Sequence, residues 1–202
     1  DSMVYYLNKP FSESGNRLNI FTLTGGFMLR LKVSAYAAIL VMIPIILFSL
    51  WKIISPMVGR TNRWLAFFVI LSANVLFYGG VAFVFFFLVP AAISVLLGFI
   101  GKDMVSMIVA DNYLDFITFT SLIMGVLFEV PIITLVLTKI GILNPEFLIK
   151  KRKFAIVIAW VIAAIVTPQP DPLSQSMVGV PLMIIFEVSI LVSRLVARSK
   201  RK

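Results

Sequence analysis

Cysteine and histidine are both absent from this chain. Without cysteine there is no disulfide, no thiolate nucleophile and no thiolate metal ligand. Without histidine, the imidazole used by most acid–base sets, haem sites and zinc or copper centres is missing too. No Ser–His–Asp or Cys–His set can be assembled, and no Gly-rich phosphate loop occurs. The sequence therefore points away from an enzyme, with no catalytic residue, no metal site and no cofactor expected. Acids are scarce as well: 9 Asp and Glu face 18 Lys and Arg, and charged residues of both signs make up only 13% of the chain.

What is abundant is apolar surface. Hydrophobic residues make up 60% of the chain and the mean hydropathy is +1.05. A soluble domain of 202 residues has no use for that much. Inside a bilayer the backbone must satisfy itself, and long apolar runs do so as helices. The fold expected is an all-α, polytopic transmembrane helical bundle forming a single domain. Its net charge of +9 is then read as basic loops meeting anionic headgroups, not as a nucleic-acid surface.

Five apolar segments define the bundle over residues 33–193: Val33–Trp51, Leu65–Val89, Leu114–Thr138, Phe154–Val166 and Met177–Val192. The second is open to continuation past Pro90 as a re-entrant or surface helix. Gly79-Gly80 within it reads as a close helix contact. The last two segments are short: Phe154–Val166 gives roughly 20 Å against a hydrocarbon core near 30 Å. Either the bilayer thins beside it or neighbouring helices shield it. Residues 1–32 form a mixed polar segment before the bundle, and 194–202 a basic tail.

Lys and Arg set the orientation. Grouping alternate loops puts Lys52, Arg60, Arg63, Lys139, Lys150–Lys153, Arg194, Arg198 and Lys200–Lys202 on one side, and Lys9, Arg17, Arg30, Lys32 and Lys102 on the other. The larger group places the C-terminus in the cytoplasm, matrix or stroma. Five helices then put residue 1 outside, which leads us to expect an earlier helix upstream.

Glu129 is the most informative single residue. It is the only charge between Phe116 and Thr138. A carboxylate at the centre of a membrane helix costs roughly 2.5–3.5 kcal/mol and usually marks a site. The alternative is a protonated Glu bonded to a neighbouring helix. Pro131 supplies no N–H to the Leu127 carbonyl, so the helix is expected to kink there. Glu187 is a second carboxylate in an apolar segment. It is placed near the inner interface and grouped with Glu129 and Pro131 as an intramembrane polar site. Between the short helices, Pro168, Pro170 and Pro172 stiffen an outer turn in which Asp171 can cap the next helix. A proline-braced hairpin is the equally weighted reading of that turn.

Taken in order, Phe128-Glu129-Val130-Pro131, Gly141-Ile142-Leu143-Asn144-Pro145-Glu146, Lys150-Lys151-Arg152-Lys153, Thr167-Pro168 with Asp171, Ser174-Gln175, Pro181 and Phe186-Glu187 resemble the TatC family, multi-spanning receptors of the twin-arginine protein translocase. Pro44-Ile45-Ile46-Leu47, Trp51 and Ser55-Pro56 fit that family's second helix and first cytoplasmic loop. The resemblance implies a six-helix fold of which this chain supplies the second to sixth helices, the last two short. It further implies signal peptides of folded cargo proteins as ligands, single-span Tat partner subunits, an oligomer or larger membrane complex, and use of the proton-motive force. The membrane it implies is a bacterial inner membrane, or alternatively a mitochondrial inner membrane or thylakoid.

The resemblance also marks a docking loop, Ile53, Pro56, Arg60, Asn62 and Arg63. Here Asn62 stands where the family carries an acid, and Ile53 replaces an aromatic. A carboxylate pair suits two guanidiniums, whereas a basic loop repels them. Weak twin-arginine docking is therefore expected. Two further readings stay open: a structural subunit of a larger membrane complex, and a small proton-coupled transporter with Glu129 as the carrier.

Overall fold

The computed structural model describes residues 24–58, 63–98, 109–167 and 172–199, and they are almost wholly helical. Helix α1 is Gly25–Ile54, continued by a tight turn at Ser55–Val58. Helix α2 is Arg63–Phe83 and passes through a wide π turn, Val84–Leu88, into α3, Val89–Gly98. Then follow α4, Ala110–Phe128; α5, Val130–Ile140; α6, Pro145–Lys150; α7, Arg152–Val166; and α8, Pro172–Ser199. Among the described residues four helical spans are long and apolar enough to cross a membrane: Gly25–Val58, Ala66–Val95, Ala110–Ile140 and Pro172–Arg198.

Three details differ from the sequence reading. The second apolar segment does not stop at Val89; its helical run continues through Pro90 to Gly98, the continuation the sequence left open. Pro90 has no N–H, and its ring crowds the carbonyl one turn back. The π turn just upstream, closed by the Val89 N–H on the Val84 carbonyl, gives that carbonyl room. The last helix is not short: the apolar run Met177–Val192 is only the middle of a 28-residue helix. Its polar ends, rich in Ser, Gln and Arg, are competent helix formers that hydropathy alone does not see. The first helix likewise starts at Gly25, ahead of its apolar run.

The chain divides into two compact units. Unit 1 holds residues 1–42 and 81–123. Its core is built on Val33, Tyr36, Val84, Val89 and Ile117, all buried. Ser121 donates to the Ile117 carbonyl at 2.6 Å and so accepts from the Tyr36 hydroxyl at 2.8 Å. At one end Lys32 lies 3.2 Å from Asp111 and 2.8 Å from Asp115, which stand one turn apart on α4. These side chains are a third or more exposed, so the cluster guides the register of the two helices more than it stabilises them.

Unit 2 holds residues 43–80 and 124–202. Gly80 lets the α2 backbone meet α4, for a Cβ there would lie 2.7 Å from the Met124 carbonyl oxygen. Gly125 receives the Phe77 ring in the same way. Without a hydrophobic force between helices, close backbone approach of this kind is a main source of packing. The expectation for Gly79-Gly80 thus holds at Gly80; a Cβ on Gly79 meets nothing within 4 Å.

Helix α5 ends in the left-handed Gly141, φ 97°, and α6 starts on Asn144, whose side chain accepts from the Glu146 N–H. Helix α8 packs on α5, α6 and α7. Thr134 reaches the Ser189 carbonyl at 3.5 Å and Thr138 the Ser193 hydroxyl at 2.7 Å, so α5 and α8 run parallel. Arg152 meets Glu187, and the Gln175 amide donates to the Trp160 carbonyl, so α7 and α8 run antiparallel.

Candidate functional site

The helix is interrupted for one residue at Glu129, beside the proline where the sequence leads us to expect a kink. Glu129 is the single residue between α4 and α5, at φ −75° and ψ −13°. Its N–H bonds the Val126 carbonyl three residues back, and its own carbonyl takes the N–H groups of both Ile132 and Ile133. The local tightening follows from Pro131, buried at the start of α5, which cannot donate.

The break aims Glu129 into a groove within unit 2. This groove has a volume of about 470 Å³ and is walled by α1, α2, α4 and α5 through side chains such as Leu47, Trp51, Ile70, Phe77 and Val136. Glu129 is the only carboxylate on its wall among the described residues. It is 7% exposed, and its Oε1 is buried with no hydrogen-bond partner. An unsatisfied buried polar atom costs about 1–3 kcal/mol, more when charged. Folding has left this group uncompensated in a site large enough for other side chains. Such a group can accept a hydrogen bond or a proton from a visitor, and the apolar walls strengthen whatever bond it makes. No nucleophile or metal-binding cluster stands beside it among the described residues.

One end of the groove is closed by a small apolar cluster of Trp51, Val69 and Val136, with Ile54 and Val58 packed against it. That cluster anchors the start of the docking loop. Ile53 is 71% exposed at the end of α1, and Pro56 is exposed in the following turn, which packs on α5. Arg60 and Asn62 lie outside the described residues; Arg63 opens α2 and its side chain is not described. Pro168 and Asp171 also lie outside the described residues.

Glu187 does not join Glu129. It sits on α8, half exposed, 2.6 Å from Arg152, and lines a separate small crevice of about 50 Å³ with Met183 and Phe186. The grouping of Glu129 and Glu187 as one intramembrane site is therefore corrected to two. Sequence reading gave Arg152 only as part of a basic run and missed its partner. It also missed the buried hydroxyls Thr134, Thr138, Ser189 and Ser193. The spacing of four within each pair was the available signal.

Comparison with known proteins fits this geometry. A family described as Sec-independent protein translocase protein (TatC) matches residues 1–181. The Sec-independent protein translocase protein TatC of Carboxydothermus hydrogenoformans is 33% identical over 195 residues, spanning 95% of this chain and 80% of that one. The protein of the same name from Rickettsia prowazekii is 34% identical over 200 residues, spanning 95% of this chain and 79% of its own. A crystal structure of the twin arginine translocase receptor TatC superposes with a TM-score of 0.80 at 29% identity, covering 96% of this chain and 84% of that chain. On these matches, together with the ordered residues around the Glu129 break, the chain belongs to the TatC family.

Proposed function

We propose that this chain is the multi-spanning core and receptor subunit of a twin-arginine protein translocase. It carries folded proteins across a membrane with single-span partner subunits and the proton-motive force. The observation that carries the reading is the Glu129 carboxyl, buried without a partner for Oε1 in an apolar groove of about 470 Å³. A span that is apolar along its length and bears one polar group suits such a wall, because that group can satisfy the one polar atom that folding leaves unpaired there. No bond of the cargo is made or broken. The residues position helices and yield, and the driving energy comes from the membrane.

Orientation follows the Lys and Arg asymmetry. The proposed arrangement has α6, the Lys150–Lys153 turn and the tail in the cytoplasm of a bacterial inner membrane, and the α7–α8 turn opposite. The chain has no native cysteine. Single cysteines at Lys151 and Leu173, both exposed, can therefore be labelled cleanly with an impermeant thiol reagent. Labelling of both from one side would overturn this orientation.

The functional test is export in cells whose own TatC has been replaced by this chain with its cognate partner subunits. Glu129→Ala is expected to insert at parental levels and to lose most export. Export at the parental rate would sink the reading. Asn62 favours a second reading, a structural subunit without receptor activity; parental export failing altogether while the subunits still assemble would support it.

A further inference from the structure

The polar boundary at the C-terminal end of unit 2 has a step. On α8 the apolar surface continues past Glu187 through the exposed Val188, Leu191 and Leu195, with Arg194 and Arg198 as its first cations. On the antiparallel α7 the boundary comes at Arg152, level with Glu187 through their 2.6 Å contact. The axial rise from Glu187 to Arg194 is about 10 Å at 1.5 Å per residue. Halfway along α7 the Trp160 carbonyl is tied to the Gln175 amide on the first turn of α8. The step between the two helices therefore lies at the basic start of the 15-residue α7. Helix α6, packed on α8, occupies the step.

The step is strongly basic and partly apolar. Arg152 is taken by Glu187, while Lys150, Lys151 and Lys153 are exposed and in no ion pair among the described residues. Lys151 stands 5.9 Å from the Phe147 ring centre and 4.8 Å from that of Phe154. Both rings are more than half exposed, as is Ile142. Glu146, on the first turn of α6, is the other carboxylate nearby. Ammonium groups set among exposed aromatic rings, at a depth that apolar α8 surface still flanks, need a ligand with an anionic head and an apolar body.

We propose that this step is a docking site for an anionic phospholipid. The phosphate is held by the Lys150, Lys151 and Lys153 ammonium groups. The acyl chains lie against Phe147, Phe154 and the exposed face of α7. A lipid headgroup satisfies both demands of the step at once: it neutralises the lysines, and it lets the bilayer surface rise to meet the short helix. Each lysine beside an anionic surface is worth about fivefold in affinity, so the three together amount to about a hundredfold. The inference rests on α6, α7 and α8 alone and is independent of the translocase reading.

The test uses the full chain in phosphatidylcholine nanodiscs containing a minority of phosphatidylglycerol, with bound lipid counted by native mass spectrometry after gentle extraction. The parent is expected to retain phosphatidylglycerol far above its share. Lys150→Gln, Lys151→Gln and Lys153→Gln combined should lose that enrichment, and the three Lys→Arg changes should keep it. A control losing the same charge elsewhere, Lys139→Gln with Arg194→Gln and Arg198→Gln, should also keep it. Enrichment unchanged in the triple Gln variant, or lost equally in the control, overturns the site. Displacement of the lipid by millimolar inorganic phosphate overturns the assignment to a lipid in favour of a general phosphate site.

Discussion

Thr138 and Ser193 share a 2.7 Å hydrogen bond, both side chains buried, between the parallel helices α5 and α8. Thr138 donates to the Thr134 carbonyl one turn back, so Ser193 is the donor across the interface. This bond locks the register of the helix that begins at the Glu129 break. Thr138→Val and Ser193→Ala should each lower stability, and a double-mutant cycle should return a coupling of about 0.6 kcal/mol, the size found for such bonds in membrane bundles. Unfolding in mixed detergent micelles measures it. A coupling of zero would mean the two hydroxyls only fill space.

The two adjacent glycines of α2 should behave oppositely. Gly80→Ala drives a methyl against the Met124 carbonyl oxygen at 2.7 Å, and that atom is backbone and cannot turn aside. Overpacking of this kind costs about 1–3 kcal/mol. Gly79→Ala meets nothing within 4 Å and should be neutral or slightly stabilising, since alanine prefers helix. Thermal melting of the two variants in one detergent checks both.

Glu129→Leu should separate stability from function. It removes a carboxyl with an unpartnered buried oxygen and adds apolar contact to a groove that is already apolar. The isolated chain is expected to gain about 1–3 kcal/mol in unfolding free energy. Export should fall at the same time, because a functional group that folding leaves unsatisfied is held at a cost. A loss of stability would show that the carboxyl has an internal partner.

Binding of twin-arginine peptides should be weak and should improve with Asn62→Glu, which adds an acid beside Arg60 and Arg63. The gain should be several-fold at most, because the loop's own arginines compete for the new carboxylate. Crosslinking from position 62 to a signal peptide, in parent and variant, reads it out. Strong arginine-dependent crosslinking already present in the parent would move recognition to other residues.

The spans and a kink beside Glu129 were legible because each rests on local chemistry: long apolar runs, one intramembrane acid, and a proline without a donor. Gly141 and Asn144-Pro145 carried a local signal of the same kind for a helix end and a helix start, which the sequence reading used only as part of the family pattern. What stayed hidden depends on who faces whom. Nothing local pairs Glu187 with Arg152, or Thr138 with Ser193, since each pair is distant in sequence and is fixed only when α8 packs. The true length of α8 escaped for a different reason. Hydropathy reports what lipid tolerates, and a helix that packs along its length can run past that limit at both ends.

Helix α7 has a consequence for how the chain is made. Its 15 residues are too few for a stable span alone, and its flanking Lys151, Arg152 and Lys153 oppose entry. Among the described residues its polar ties to other helices, Arg152 to Glu187 and Trp160 to Gln175, go to a helix synthesised after it. Helix α7 is therefore expected to need α8 beside it before it settles in the bilayer. The two helices are expected to enter together, as a hairpin held by these two contacts.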